Sequence, residues 1–174
     1  VRKELFRCQG HFHNRKIVIV STPTVKGASM VEEWFGRSDQ RYYYVTCPEC
    51  GNEHVWDWDL VTWDKDEDGK GLPETARICC PGCGRVERGQ WKPDMSLIGR
   101  GRWKASEPGN GRIKGYALCS LYSPWVSLSA LVEEYLSVVR APDRSGLQEF
   151  LNLKLGKPYD TEYYTDSALT AITR

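Results

Sequence analysis

Hydrophobic and polar positions along the chain fall into three stretches of different period. The run Lys16-Ile17-Val18-Ile19-Val20 is rich in β-branched residues and ends at Ser21-Thr22-Pro23-Thr24. It predicts a buried strand with both faces covered, as in parallel sheets. A loop follows, then helical spacing through Ser29, Val31, Glu32, Trp34 and Phe35, with Gly36 as a natural stop. Between Tyr42 and Lys104 the pattern shortens to alternating pieces at residues 42–45, 54–58 and 77–79, separated by turn residues. That predicts a small antiparallel β module, with its acidic loop at 64–71 in solvent. In the third stretch, residues 116–122 read as an apolar strand broken at Ser123-Pro124-Trp125. Ser127 then caps a helix to Arg140 with Leu128, Leu131, Val132, Tyr135, Leu136 and Val139 on one face. Pro142 interrupts it, and a further helix over 144–155 carries Leu147, Phe150, Leu151 and Leu155 before Gly156-Lys157-Pro158 ends it. The class is α+β.

Composition changes this picture little. A chain of 174 residues with net charge +1 buries a sizeable core as one domain or two, and near-neutrality excludes a polybasic protein. No apolar run is long enough for a membrane span, and Val1-Arg2-Lys3-Glu4-Leu5 lacks the features of a signal peptide. A reducing cytosol is therefore expected, and an odd count of seven cysteines fits metal binding better than a disulfide framework.

Two knuckles repeat almost letter for letter, Cys47-Pro48-Glu49-Cys50-Gly51 and Cys80-Pro81-Gly82-Cys83-Gly84. Proline sets φ after the first cysteine, and the glycine after the second permits the positive φ of a returning turn. Two such turns supply Cys47, Cys50, Cys80 and Cys83 as a tetrahedral set for one structural zinc ion, forming a zinc ribbon with no position left open for water. Thioredoxin-type redox chemistry needs a single CxxC at a helix N-terminus, whereas both pairs lie among turn and strand residues. Cys79 breaks the spacing and is read as core, and Cys8 and Cys119 as small hydrophobes.

Other motifs carry less. The stretch from Asp64 to Gly69 imitates a calcium loop, but Thr75 stands where a bidentate Glu is required. His11 and His13 are read as surface residues. Arg100, Arg102, Lys104, Arg112 and Lys114 interleave with Trp91, Trp103 and Tyr116, a pattern able to contact phosphates and stack on bases; the alternative is a solvated basic surface over packed rings.

The 16–24 strand and loop, the stretch 33–44 with Ser38-Asp39-Gln40-Arg41, both knuckles, Ser120-Leu121-Tyr122-Ser123-Pro124-Trp125 and Phe150-Leu151-Asn152 through Leu155-Gly156 occur in one order. Together they resemble the large terminase subunit of lambda-like tailed phages, which packages DNA into the capsid. The resemblance implies the end of an ATPase core at 1–40, the ribbon at 41–105, and at 106–174 a strand and linker helices leading towards a nuclease domain expected to be absent. Ser21, Thr22, Pro23 and Thr24 match the family's coupling motif. ATP and Mg2+ belong to the full-length protein. Double-stranded viral DNA, the small terminase subunit and the portal are the implied partners, and the host cytoplasm the implied location. No G-x-x-x-x-G-K-[ST] loop occurs, and Asp160, Glu162 and Asp166 do not form a matching nuclease set, so the chain alone is expected to be inactive. An exposed edge near Val18 would invite self-association. The alternative is a free-standing zinc-ribbon module that binds DNA or a partner protein.

Overall fold

A computed structural model of the chain describes residues 16–88, 99–141 and 145–160. Cys8, His11, His13, Trp91, Pro142, Arg144, Glu162 and Asp166 lie outside the described residues. Among the described residues, no helix is long and apolar enough to cross a membrane.

Helix α1, Met30–Gly36, follows the extended residue Ser29, and Glu32 turns back to accept from the Gly27 N–H at 2.9 Å. Gly36 ends the helix from within it, and Ser38 seals the exit: its hydroxyl donates to Phe35 O at 2.6 Å and accepts from Gln40 N at 3.0 Å. Strand β1, Arg41–Thr46, begins directly afterwards.

The β module is two sheets. In the first, β1 runs antiparallel to β2, Glu53–Val55, and to β6, Arg102–Ala105. The short β7, Tyr116–Ala117, pairs parallel with the start of β1. The second sheet orders β3, Val61–Lys65, β4, Gly71–Cys79, and β5, Val86–Arg88, all antiparallel. A register irregularity lies between Thr62 and Asp64. The β3–β4 turn is the acidic loop, exposed as expected, with the Asp66 carboxylate accepting from the N–H groups of Asp68 and Lys70.

Helix α2, Leu128–Arg140, packs on β4. Ser127 caps it by accepting from Ala130 N at 3.1 Å, and Leu128, Leu131, Val132 and Tyr135 are its buried face, as the periodicity predicts. Close approach is built in at Gly71, where a Cβ would lie 2.7 Å from the Trp63 indole nitrogen and 2.8 Å from Leu136. One core joins both sheets to the C-terminal helices through Val45, Trp56, Ile78, Leu121, Leu131 and Phe150.

Four expectations are corrected. Residues 16–20 form no strand, and Val18 and Val20 are 83% and 89% exposed. A β-branched run becomes a strand only where a neighbour satisfies its backbone, and no described strand pairs with it. Residues 116–122 are a strand only at 116–117, giving way to a 3-10 turn at Ser120–Tyr122. The expected strand at 54–58 stops at Val55. Both endings trace to the Tyr122 hydroxyl, which donates to Tyr43 O at 2.6 Å and accepts from Trp56 N at 2.7 Å. Finally, the last helix starts as α3, Ser145–Glu149, but widens to a π-helix at Phe150–Leu155 before Gly156 closes it at φ 63°. The wider turn buries Asn152 beside Leu151.

Burial raises the Tyr122 pKa, outweighing the bond from Trp56 N–H, so the hydroxyl stays neutral and fills both roles. Tyr122→Phe orphans the Trp56 N–H and is expected to cost about 1–3 kcal/mol. The check is a lower urea midpoint at unchanged m-value.

Candidate metal centre and the linked loop

The first knuckle follows β1 in one sheet, and the second joins β4 to β5 in the other. Their backbones are near copies. Cys47 N donates to Asn52 O at 2.9 Å and Cys80 N to Arg85 O at 2.8 Å; Gly51 N and Gly84 N return to Cys47 O and Cys80 O, each at 2.9 Å. Gly51 and Gly84 sit at φ 70° and 71°, the left-handed conformation expected from sequence. The knuckles also meet face to face. A Cβ on Gly82 would lie 3.0 Å from the Asn52 side chain, and Arg85 pairs with Glu49 across the gap.

All four Sγ atoms lie within 4.8 Å of one another. Cys47 and Cys83 Sγ are 3.8 Å apart, as are Cys50 and Cys80 Sγ. Four thiolates at about 2.3 Å from a tetrahedral centre are separated by about 3.8 Å, so this set fits a metal ion. Cys47 and Cys80 are buried, Cys50 and Cys83 exposed. Burial pushes the Cys47 thiol up, but N–H groups of Cys50 and Glu49 outweigh it and leave it at about 7. The Arg85 N–H favours the Cys83 thiolate; against it, the sulfurs of Cys50, Cys47 and Cys80 together with desolvation push Cys83 to about 12. Mutual opposition of this kind among converging sulfurs is what a bound cation removes. Cys79 points away, its Sγ 3.4 Å from the Thr62 hydroxyl, and Cys119 contacts Trp56 O at 3.8 Å; neither joins the cluster.

The Ser21-Thr22-Pro23-Thr24 loop is separate from this centre. It borders a groove of about 690 Å³, with Trp58, Tyr122 and Leu155 among the other walls. The loop is mostly exposed, and the Ser21 hydroxyl donates to Thr22 O at 3.2 Å.

The five basic residues do not form a free cationic strip. Arg102 pairs with Glu53 at 2.7 Å, and Lys104 pairs with the same carboxylate. Lys114 reaches Asp39 at 3.4 Å. Arg100 and Arg112 are exposed, and neither forms an ion pair among the described residues. Trp103 packs in edge-to-face geometry against Tyr43 and Tyr116. Hydrogen bonds from Lys104 and then Arg102 hold the Glu53 carboxyl low.

Asp39 and Glu53 are thus charge hubs that composition did not single out. Asp39 is 5% exposed, pairs with Arg41 at 2.8 Å and accepts from Gly115 N at 3.2 Å. Burial alone would raise its carboxyl; Arg41, the Gly115 N–H and Lys114 together hold it below the ordinary 3.8. A depressed folded pKa stabilises the fold above the unfolded value, and that stabilisation is lost as pH falls through the folded value. Asp39→Asn should therefore be less stable than the parent at neutral pH, with the difference closing on acidification below about pH 4. Melting temperatures across that range are the check, and a pH-independent gap would contradict the assignment.

Residues 6–103 match the model of the phage terminase large subunit gpA, ATPase domain. Residues 113–173 match that of the terminase large subunit gpA, endonuclease domain. No curated protein and no solved structure matches the chain. The ATPase-domain match spans more than half of the 174 residues and includes both knuckles, and the endonuclease match follows it in order. The chain belongs to the phage terminase large subunit gpA family.

Proposed function

We propose that this chain is a zinc-stabilised segment of a terminase large subunit acting in viral DNA packaging. In this reading Cys47, Cys50, Cys80 and Cys83 hold one structural zinc ion that ties the two sheets together. The observation that carries the metal assignment is the convergence of the four sulfurs from two turns of the same hydrogen-bond pattern, with spacings that suit tetrahedral thiolate coordination. An all-thiolate donor set favours zinc over magnesium or calcium, and full occupancy by Cys leaves the ion no catalytic position. The zinc would act by holding geometry.

Residues 1–40 belong to the end of an ATPase core, 41–105 to the ribbon, and 106–174 to the approach to the nuclease. Ser21, Thr22, Pro23 and Thr24 serve as the coupling loop between nucleotide state and DNA handling. ATP, Mg2+, duplex DNA, the small subunit and the portal are engaged by the complete protein in the host cytoplasm. Direct phosphate contact through Arg100, Arg102, Lys104, Arg112 and Lys114 would have to compete, at Arg102, Lys104 and Lys114, with Glu53 and Asp39. That competition weighs against the chain acting as a free-standing DNA-binding ribbon.

Element-specific metal analysis of the purified chain tests the reading. About one zinc per chain is expected from a filled four-thiolate site. A chain that is folded and metal-free, or that carries iron instead, would remove its basis.

A further inference from the structure

Asn152 is a polar residue where the helical pattern places core. It is 8% exposed, next to the buried Leu151 within the π-helical turn Phe150–Leu155 that Gly156 closes. A buried amide needs partners, and the hydrogen-bonding surroundings set its orientation. With the amide nitrogen turned towards the two carbonyls it faces, Asn152 donates to Thr24 O at 3.0 Å and to Lys157 O at 2.9 Å. Both amide hydrogens are used, one on each of two chain segments far apart in sequence.

The same junction is reinforced by backbone. Tyr159 N donates to Thr24 O at 2.8 Å, and Lys26 N donates to Tyr159 O at 2.9 Å. These bonds set Val25 and Tyr159 in a parallel bridge. Lys26 and Asp160 close the outside with an ion pair at 2.6 Å. Thr24 O therefore accepts twice, from Tyr159 and from Asn152, which uses both of its lone pairs. On the far side, Lys157 N donates to Leu151 O at 3.0 Å, so Lys157 is held to the π-helix by its own N–H and by the Asn152 amide. Gly156 is required there: its φ is 63°, and a Cβ would come within 3.2 Å of Leu118 O.

Thr24 lies in the part matched by the ATPase-domain model, whereas Asn152, Lys157 and Tyr159 lie in the part matched by the endonuclease-domain model. We propose that Asn152 is a positioning residue that couples the Ser21-Thr22-Pro23-Thr24 loop to residues 150–159, so that a displacement of the loop is transmitted to the endonuclease-side segment. This rests on the relay role proposed above for the loop. The physical basis is that one side chain spans two carbonyls on separate segments. If Thr24 O moves, Asn152 either follows it, carrying the π-helical turn and Lys157 O, or leaves a buried donor unpaired, and the second alternative is the costly one.

A double-mutant cycle read by hydrogen exchange on the whole chain tests this. Pro23→Gly loosens the loop without touching the clamp. Asn152→Leu removes both donors at similar volume, and Asn152→Asp, of the same shape, serves if the leucine variant does not fold. In the parent background, Pro23→Gly is expected to speed exchange of the Lys26, Tyr159 and Lys157 amides by about tenfold, as local opening allows. With Asn152 replaced, Pro23→Gly should leave the Lys157 amide unchanged. The Cys47 and Cys80 amides report the ribbon and should be unaffected throughout. Pro23→Gly without effect at Lys157 in the parent would overturn the relay reading, and this proposal with it. An equal acceleration with and without Asn152 would leave the relay intact and overturn the role given to Asn152.

Discussion

Stripping the metal with a strong chelator, or replacing Cys47 by Ser, is expected to separate the two knuckles and unfold at least the ribbon. The argument is one of magnitude. Structural zinc in small modules contributes apparent binding energies on the order of 10–16 kcal/mol at neutral pH, available only to the folded site. A domain's whole stability is roughly 5–15 kcal/mol. The two knuckles belong to different sheets, and what joins them besides the sulfurs is slight: the Gly82–Asn52 contact and the Arg85–Glu49 pair. Exposed ion pairs add at most about 1 kcal/mol. Cys47 is a consequential one to replace, being buried and held by N–H groups that favour its thiolate. The measurement is loss of amide protection at Cys47, Val45 and Cys80 on chelation, regained on adding zinc alone. Retention of full protection in the metal-free chain would show that the sheets hold each other without the ion.

Phe150→Ala is the second large effect. Phe150 is 1% exposed and sits where three elements meet: its ring centroid is 5.2 Å from Trp58, on the link between the two sheets, and 5.4 Å from Tyr135 on α2. Trp58 and Tyr135 also contact each other edge-on at 5.1 Å. Deleting a ring from such a cluster loses transfer energy and leaves a cavity that rigid aromatic neighbours cannot fill, at a cost of about 3–5 kcal/mol. For a chain of this size that corresponds to a fall in melting temperature of roughly 10 °C. Calorimetry of the zinc-loaded chain is the check. A drop of only a degree or two would mean that α2 and the π-helix are not held through this cluster. Unlike Cys47→Ser, Phe150→Ala should leave metal content unchanged, because the knuckles do not touch this part of the core.

The two predictions differ in how visible their residues were beforehand. The cysteine set could be read from the chain because its determinants are local. Each knuckle is a five-residue turn whose Pro and Gly encode its backbone, and φ near 70° at Gly51 and Gly84 is what that local chemistry demands. The α2 helix was equally legible, from the Ser127 cap through the buried face ending at Tyr135, since capping and a 3.6-residue period act within one element. Phe150 was visible as an apolar helical position, but not as the hub between Trp58 and Tyr135.

Strand β3 was missed although Val61-Thr62-Trp63-Asp64 alternates apolar and polar positions, because the run is short and follows directly on Trp58-Asp59-Leu60. Its pairing with β4 is also irregular between Thr62 and Asp64, which no local pattern records. The strand expected at 16–20 failed for the opposite reason. Its local propensity is high, yet a strand is a property of a pair, and propensity does not supply the partner. The partners of the basic residues were not legible, because charge counting along a segment does not register carboxylates from elsewhere. Glu53 and Asp39 lie far in sequence from the cations they neutralise.

By itself, then, the sequence determined the α+β class, the four-cysteine knuckles, the main helix and the order of motifs that marks the terminase large subunit family. These rest on turn chemistry, capping and periodicity, all of them interactions within a few residues. Only the tertiary structure decided that the β module is two sheets sharing one core, with their knuckles meeting at the sulfurs, that Tyr122 ends two strands with one hydroxyl, and that Asn152 ties Thr24 to the C-terminal segment. Those outcomes depend on which backbone carbonyls and N–H groups are brought together from distant positions, and no local pattern records them.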